Sequence, residues 1–424
     1  EVLRHATLLA LATHSKINLC SRFDRKNYFY PDLPKGYQIS QYHLPFAEDG
    51  YMLIEGESGE KEVRLERIQI EEDTGKAVHE GEISLIDLNR AGTPLLEIVG
   101  RPDLHNAAEA SAYLKNLHTL LVYLEISRGN LQEGNFRADV NISLRPEGSD
   151  VLNTRTEIKN LNSFRSVERA IQKEIERQTQ ILKQNKKIQQ ETLKFDAIKE
   201  TLMPLRSKGD AHDYRYFPEP DLLILEIKEK EIEQIKTEIP ELPLQKKKRF
   251  EKEYCIPGYD ARVLISDKDL ADYFEETVKA YGGEAKKVSN WIMVEFLRLL
   301  NEAGLSVKRS PVPPRETALL LESVQQGAIS GKMAKDVYEK MFDQGKGARE
   351  IIDKAGLSQI DDNEYLLNLA GEIVNSHPEE VGKYLAGRTR LLGFFVGQLM
   401  KKTKGQANPQ MANKIIKELL EKKR

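Results

Sequence analysis

Residues 131–164 contain the feature that most constrains the fold, two segments of alternating apolar and polar residues around a short polar loop. The alternation is strict over residues 136–145, so the apolar and polar side chains of a strand would lie on opposite faces. It is less clean over residues 153–159. Residues 146–152 have a turn composition and can join the two segments as an antiparallel hairpin. The pattern therefore predicts a β-hairpin with one polar face. Asn106, three residues before Glu109, and Ser163, just after the second segment, are predicted to begin helices as capping residues.

The polar face of this predicted hairpin mixes carboxylate, amide and cationic side chains instead of a simple Lys/Glu ladder. Candidate site residues on it are Arg137, Asn141, Arg155, Glu157 and Lys159. Acidic groups beside basic ones are what a magnesium–phosphate site requires. The alternative is a half-buried sheet whose outer face is merely solvated, which is common in antiparallel sheets.

Two carboxylates of this stretch could hold a metal ion. Antiparallel pairing is expected to return Glu157 towards the beginning of the first strand, close to Glu133 just ahead of that strand. Magnesium is bound through one or two carboxylates together with waters and phosphate oxygens, so two acids suffice for a partial site. Arg137, Arg155 and Lys159 are the cations of this stretch that could accompany bound phosphate.

Residues 25–41, RKNYFYPDLPKGYQISQ, crowd aromatic residues around two prolines and a glycine. Such turn chemistry predicts a loop that carries Tyr30 and Lys35. One interpretation is a loop that stacks on a nucleotide or on the end of an RNA. The other is a tyrosine-rich loop that lies on the core.

Three consecutive acids precede a Thr-Gly-Lys turn in residues 71–76, EEDTGK. They could bind a divalent cation. The commoner outcome for such a run is a charged hairpin tip in solvent.

The composition excludes several classes of protein. The 424 residues carry a net charge of -3, so binding of a nucleic acid would depend on a local basic patch. The two cysteines, Cys20 and Cys255, lie far apart, which argues against a disulfide framework and fits a reducing, cytoplasmic location. No apolar run approaches the ~18 residues of a membrane span. Because Glu1 is not an initiator, we expect an incomplete or processed N-terminus.

The basic patch is predicted at the end of the chain. Residues 381–424 contain eleven Lys or Arg residues against two Glu residues, a net charge of +9. Such a charge over a short stretch favours polyanion binding, although a solvated helix end is the alternative. The candidate contacts are Arg388, Arg390, Lys401, Lys402 and Lys404.

Several long motifs together resemble one family, the B subunits of the tRNA-dependent aspartyl/glutamyl-tRNA(Asn/Gln) amidotransferases. These motifs are RKNYFYPDLPKGYQISQ, EEDTGK, LNRAGTPLLEIV, FRADVNISLR, TEIKNLNSF, HDYRYFPEPDL and FFVGQLMKKTKGQANPQ. They are distributed over nearly the whole chain, which makes the resemblance specific.

The resemblance implies an α+β fold in three parts. Residues 1–239 would form a β-rich catalytic cradle with an antiparallel sheet, incomplete at its N-terminus. Residues 240–350 would form an all-helical domain, and residues 351–424 a basic, helical, YqeY-like tail that binds tRNA. A change from aromatic, β-rich composition to Lys/Glu/Leu-rich composition near residues 240–243 supports the first boundary.

The resemblance also implies a ligase reaction. ATP, with Mg²⁺, would phosphorylate the side-chain carboxylate of Glu or Asp misacylated onto tRNA(Gln) or tRNA(Asn), and ammonia would displace the phosphate. A partner amidase (glutaminase), the family's A subunit, would release that ammonia from glutamine, and a small C subunit would complete a heterotrimer. The chain has no Walker A motif, so ATP would bind on a sheet without a P-loop.

Carried over to this chain, the family's pattern assigns roles to individual residues. Glu133 in EGN and Glu157 in TEIKN resemble its magnesium carboxylates, with Lys159 and Arg137 as further catalytic residues. ATP or substrate would contact Arg155, Asn141, Tyr30 and Lys35. The family can carry Zn²⁺, but the cysteines of that site are absent from this chain. The alternative function is a non-catalytic RNA-binding scaffold within a larger complex.

Overall fold

The computed structural model describes residues 1–56, 59–81, 83–206, 214–356, 363–403, 407 and 409–423. The chain divides into two compact units, Glu1–Pro243 and Leu244–Arg424. The division lies at the end of the proline-containing stretch at which the composition changes. Among the described helices, none has both the length and the apolar character that crossing a membrane requires.

The first unit contains the strands. They are β1 (Lys16–Ile17), β2 (Cys20–Asn27), β3 (Tyr37–Leu44), β4 (Ala47–Glu48), β5 (Tyr51–Gly56), β6 (Gly59–Glu72), β7 (Lys76–Glu80), β8 (Ile83–Asp87), β9 (Pro94–Gly100), β10 (Ala138–Ile142), β11 (Thr156–Leu161), β12 (Thr192–Asp196), β13 (Thr201–Arg206), β14 (Phe217–Pro218) and β15 (Leu225–Glu226). Its helices are α1 (Val2–Ala12), α2 (Ala107–Tyr123), α3 (Phe164–Lys183) and α4 (Glu229–Lys236).

The strands form several small sheets instead of one large one. One sheet has the order β1-β4-β6-β5 with β9 also paired to β6, another the order β10-β11-β12-β13, and a third joins β14, β15 and β3 to β2. Strands β7 and β8 pair only with each other within the described chain. All pairs are antiparallel except β11 with β12, which are parallel. The predicted α+β class is confirmed.

The predicted hairpin is formed by β10 and β11, which pair antiparallel. Its apolar face packs on α2 and α3, where Ile158, Leu161 and Val167 are buried in one hydrophobic cluster. Its other face carries the exposed side chains of Asp139 and Asn141. Burial of the apolar face therefore determines which side chains of the hairpin are available to a ligand.

Helix caps position the two helices beneath this sheet. The side chain of Asn106 accepts a hydrogen bond from the backbone N–H of Glu109 (2.8 Å) at the beginning of α2. The Ser163 hydroxyl accepts one from the backbone N–H of Ser166 (3.0 Å) at the beginning of α3. Both caps satisfy backbone N–H groups that a helix terminus leaves unpaired. Helix starts at Asn106 and Ser163, as the sequence predicts, are confirmed.

The second unit is built from helices, and no strand occurs among its described residues. Its helices are α5 (Pro243–Glu253), α6 (Gly258–Leu264), α7 (Lys268–Tyr281), α8 (Ala285–Trp291), α9 (Leu297–Ala303), α10 (Pro314–Gln325), α11 (Gly331–Gln344), α12 (Ala348–Lys354), α13 (Asn363–Ser376), α14 (Pro378–Leu385), α15 (Leu392–Lys402) and α16 (Pro409–Glu421). A π-helical turn, Ile292–Phe296, joins α8 to α9. One hydrophobic cluster lies among α5 to α12, and a separate one among α13 to α16.

Candidate active site

The outer face of the β10–β11 hairpin carries a lysine between two carboxylates. Lys159 Nζ lies 2.6 Å from Asp139 Oδ2 and 3.0 Å from Glu157 Oε1. Burial by itself lowers the pKa of the Lys159 ammonium, but the two carboxylates outweigh it and hold that pKa above its ordinary value. Glu157 also accepts a hydrogen bond from the hydroxyl of Thr192 on β12 (3.0 Å). Thr192 thus helps to hold the Glu157 carboxylate in place.

A β-bulge lies beside the contact between Lys159 and Asp139. Ala138 pairs with Leu161 and Val140 pairs with Ile158, so two residues of β11 oppose the single residue Asp139. Asn160 within the bulge has a φ of 65°, a left-handed conformation that Asn adopts more readily than most residues. Bulges re-aim side chains and are frequent beside active sites.

The register corrects one expectation from the sequence. Glu157 lies opposite Asn141, near the end of β10, whereas Leu161 lies opposite the beginning of that strand. The prediction that pairing returns Glu157 towards Glu133 is therefore wrong. Glu133 lies in a turn five residues before β10, where its side chain accepts a hydrogen bond from Asn135 Nδ2 (3.0 Å). Asp139, and not Glu133, is the carboxylate that shares a cation with Glu157, and that cation is Lys159.

Arg137 connects the hairpin to the acidic run at the end of β6. Its guanidinium donates to Asp73 Oδ1 (2.7 Å), and Arg90 lies 3.4 Å from the other oxygen of the same carboxylate. Asp73 is buried, so the two guanidinium groups compensate its charge. The acidic run is therefore part of a packed polar cluster, not a solvated hairpin tip.

Arg90 also places the turn that contains Glu133. It donates to the backbone carbonyls of Glu133 (2.9 Å) and Gly134 (3.1 Å). Gly134 has a φ of +70°, and a Cβ at this position would lie 2.9 Å from the Arg90 guanidinium. This left-handed conformation favours glycine, and a side chain here would also displace the Arg90 guanidinium. Glu133 thus borders the Asp73 cluster rather than Glu157.

Glu72 is bound from the aromatic loop that follows β2. Lys35 forms an ion pair with its carboxylate, which also accepts a hydrogen bond from the backbone N–H of Ile39 (2.8 Å). The Lys35 ammonium additionally lies 4.7 Å from the centre of the Tyr37 ring. Lys35 is therefore placed beside the acidic run.

Glu71 and Glu97 form a second carboxylate pair, which the sequence analysis missed. Glu71 is buried and accepts hydrogen bonds from Ser40 Oγ (2.8 Å) and Gln69 Nε2 (2.6 Å). Gln69 also donates to Glu97, which lies opposite it in the β6–β9 register. Although Glu97 as a residue is exposed, desolvation of its carboxyl group, followed by the negative charge of Glu71, raises its pKa to about 7. Glu97 can therefore hold a proton beside Glu71 near neutral pH.

The raised pKa of Glu97 gives a pH-dependent contribution to stability. Because the folded state binds this proton more tightly than the unfolded chain, stability is lost as the pH rises from the ordinary value of 4.5 towards about 7. We expect Glu97→Gln to flatten the fall in unfolding free energy across this window, measured by urea denaturation at several pH values. Glu147→Gln, in an exposed loop, should keep the wild-type slope. Identical slopes in all three proteins would contradict the pairing of Glu97 with Glu71.

The remaining predicted site residues of the first unit are exposed. Asn141 lies opposite Glu157 on the outer face, and Arg155 immediately precedes β11. Tyr30 lies in the aromatic loop, with its ring centre 6.0 Å from that of Tyr28. Asn141 and Arg155 therefore accompany the Lys159 cluster, and Tyr30 accompanies Lys35.

The predicted tRNA contacts lie in the second unit. Arg388 and Arg390 are exposed at the 3₁₀ turn before α15. Lys401 and Lys402 are exposed in its last turn, where Lys402 lies 3.3 Å from Glu372. Lys404 is outside the described residues. An exposed basic pair thus lies near each end of α15.

The chemistry of the first unit depends on oxygen donors and cations from separate segments. Asp139 was visible on the polar face of the sequence pattern, but only the register of β10 against β11 places it beside Lys159. Asp73 and Arg90 belong to unusual motifs, yet nothing local indicates that both reach Arg137. Within the described residues, no group of three or more His, Cys, Asp or Glu side chains is arranged to hold a metal ion alone. Any metal bound here needs further ligands, such as phosphate oxygens or water.

Comparison with known proteins identifies relatives of nearly the full length. The family described as the GatB/GatE catalytic domain matches residues 1–233, and the family described as the GatB domain matches residues 272–420. The B subunit of the aspartyl/glutamyl-tRNA(Asn/Gln) amidotransferase of Nitrosococcus oceani is 50% identical over 422 residues, which cover 99% of this chain and 88% of that protein. The protein of the same name from Persephonella marina is 47% identical over 420 residues, covering 99% and 89% respectively.

Proposed function

The chain belongs to the family of B subunits of the aspartyl/glutamyl-tRNA(Asn/Gln) amidotransferases, and on that premise we propose that it activates and amidates the misacylated residue. Each relative is named as one subunit of the enzyme, so the chain is part of a multi-subunit ligase. ATP transfers its γ-phosphoryl group to the side-chain carboxylate of Glu or Asp esterified to tRNA. Ammonia then attacks the acyl phosphate and expels inorganic phosphate, leaving Gln-tRNA or Asn-tRNA.

The observation that carries this proposal is the arrangement around Lys159 and Arg137. Lys159 lies between Asp139 and Glu157, while Arg137 reaches from the beginning of the same hairpin to Asp73. Phosphoryl transfer requires positioned cations and little covalent chemistry from the protein. The polar face of the hairpin and the acidic run supply alternating positive and negative groups of that kind.

The oxygen donors on this face fit magnesium. Asp139 and Glu157 are two carboxylates that already share one cation, and Asn141 adds an amide opposite Glu157. Magnesium accepts such a partial set and completes it with water and phosphate oxygens. When bound, it would neutralise charge on the phosphates of ATP. Of the two carboxylates that the sequence assigns to magnesium, we retain Glu157 and pair it with Asp139, leaving Glu133 at the edge of the site.

The other residues of the proposal bind and orient the substrates. Lys159 holds the Glu157 carboxylate and stabilises negative charge near it, and Arg137 does the same beside Asp73. Arg155 and Asn141 bind phosphate or ribose oxygens at the Lys159 cluster. Lys35, which is already fixed on Glu72, attracts the tRNA-linked carboxylate.

We assign the three parts of the chain as follows. Residues 1–239 are the catalytic cradle, residues 240–350 a helical domain, and residues 351–424 a tail that binds tRNA. The separate hydrophobic cluster of α13 to α16 supports an independent tail. The exposed Arg388 and Arg390 fit contacts with tRNA phosphates. A partner amidase supplies ammonia, and a small third protein completes the complex.

The proposed function is tested by ATP hydrolysis in the assembled enzyme. We expect phosphate release to require both this chain and misacylated tRNA, because the acceptor carboxylate is the nucleophile. Correctly charged Gln-tRNA, which carries an amide there, is the matched control and should not support hydrolysis. If hydrolysis proceeds equally with the two tRNAs, or with this chain omitted, the chain does not phosphorylate the substrate. It would then be a non-catalytic RNA-binding scaffold.

A further inference from the structure

The aromatic loop between β2 and β3 displays one ring to solvent. Phe29 is 90% exposed, although its neighbour Tyr28 is half-buried and contacts the Tyr214 ring edge-on at 5.9 Å. A large apolar side chain at such exposure gains almost nothing from the hydrophobic effect within this chain. Single exposed apolar residues are common, so exposure alone does not indicate a site. What distinguishes Phe29 is the set of contacts that hold its loop and the location of that loop.

The loop is held by its own hydrogen bonds and by contacts with the acidic run. The backbone N–H of Tyr28 donates to the carbonyl of Gly36 (3.1 Å), and that of Gly75 donates to the carbonyl of Asp32 (2.9 Å). Leu33 is buried and anchors the centre of the loop. Phe29 is therefore presented on a fixed support and not on a loose tip.

The ring of Phe29 packs edgewise on the next turn. A Cβ at Gly36, whose φ is +80°, would lie 3.1 Å from the Phe29 ring, so the ring rests against the bare backbone there. The adjacent Lys35 is ion-paired to Glu72 of the acidic run. The exposed ring thus lies against the residue next to the cation that we place at the substrate carboxylate.

We propose that Phe29 is a stacking platform for an unpaired base at the 3′ end of the misacylated tRNA. The reacting amino acid is esterified to that end, so its terminal bases must pass the rim of the site whenever the side-chain carboxylate is inside. Proteins bind unpaired bases by stacking them on exposed aromatic side chains. This inference rests on the proposed function only in taking charged tRNA as the substrate.

The tRNA end is a better occupant than the adenine of ATP. A single ring with 90% of its surface in water can cover one face of a base but encloses nothing. A small nucleotide needs burial on several sides to be bound tightly. The terminal base of a tRNA belongs to a molecule that is already bound through its phosphates. One stacking contact then adds to the affinity, because the translational entropy of the tRNA has already been lost at the other contacts.

The test compares binding of two uncharged tRNAs to the assembled enzyme without ATP. One is complete, and the other lacks its unpaired 3′ nucleotides. We expect Phe29→Ala and the matched apolar variant Phe29→Leu to weaken binding of the complete tRNA about 5- to 100-fold. Binding of the shortened tRNA should not change, and Phe29→Trp should restore the wild-type preference. Arg390→Ala, at a proposed phosphate contact, should weaken both tRNAs alike.

Three results would overturn the assignment. They are an equal effect of Phe29→Ala on the two tRNAs, no effect on either, and a raised KM for ATP in place of weaker tRNA binding. Thermal stability should be unchanged in all Phe29 variants because the side chain is exposed, so a folding defect can be recognised. Since binding is measured without ATP, failure of the phosphorylation proposal would leave this result interpretable.

Discussion

Glu157→Gln is expected to lower kcat by about 10²-fold or more, with binding of charged tRNA almost unchanged. The substitution keeps the size of the side chain and an oxygen that can accept from Thr192, but removes the charge that faces Lys159. The loss should be largest where charge accumulates on the transferred phosphoryl group. Measurements of tRNA-dependent ATP hydrolysis, amide formation and tRNA binding in the assembled enzyme separate these effects. The magnesium concentration required for half-maximal rate should also rise.

Glu133→Gln is the matched control for that experiment. Its amide oxygen can still accept from Asn135, and the contacts of Arg90 with this turn are made to backbone carbonyls. We therefore expect a much smaller effect on kcat than at Glu157. If kcat falls as far in Glu133→Gln as in Glu157→Gln, Glu133 and Glu157 are the two magnesium ligands, as the sequence predicted. Near-normal hydrolysis in Glu157→Gln would mean that the outer face of the hairpin is only a solvated surface.

Lys159→Met is expected to lower kcat by about 10²-fold, comparable with the loss of one oriented donor to a developing oxyanion. The apolar replacement preserves most of the length of the side chain and leaves Asp139 and Glu157 without the cation between them. Repulsion between the two carboxylates should then displace Glu157 as well. The assay is single-turnover phosphorylation of the misacylated tRNA, which removes product release from the comparison.

Lys159→Arg tests whether the charge is sufficient. It should recover part of the activity, because guanidinium also binds carboxylates but cannot occupy the same point between them. The two carboxylates raise the pKa of Lys159, so the lysine stays charged well into the alkaline range. Its deprotonation should therefore not lower kcat near neutral pH. If kcat changes with pH near neutrality in the wild-type enzyme but not in Lys159→Arg, the lysine acts as a neutral base, contrary to this proposal.

Local sequence patterns account for much of the first unit. The alternation over residues 136–145 predicted a hairpin, and its apolar side chains are those that contact α2 and α3. The capping residues Asn106 and Ser163 lie where the two helices begin. These predictions hold because strand period and capping are decided within a few residues of chain.

The site itself is not determined by such short-range rules. Glu157 lies opposite Asn141 because the pairing begins with Ile142 and Thr156, and that register depends on where the connecting residues 143–155 turn the chain. No periodicity contains this information, since a shift of one residue leaves the hydrophobic pattern of each strand recognisable while it changes every cross-strand partner.

The sequence by itself determined the alternating hairpin, the helix starts, the basic end of the chain and, through its long motifs, the family. Only the tertiary structure decided that Lys159 lies between Asp139 and Glu157, that Arg137 reaches Asp73, and that Glu71 and Glu97 share one face of β6 and β9. The physical reason is distance along the chain. Patterning and capping act between near neighbours, whereas these contacts join segments that meet only after the sheets and helices have packed.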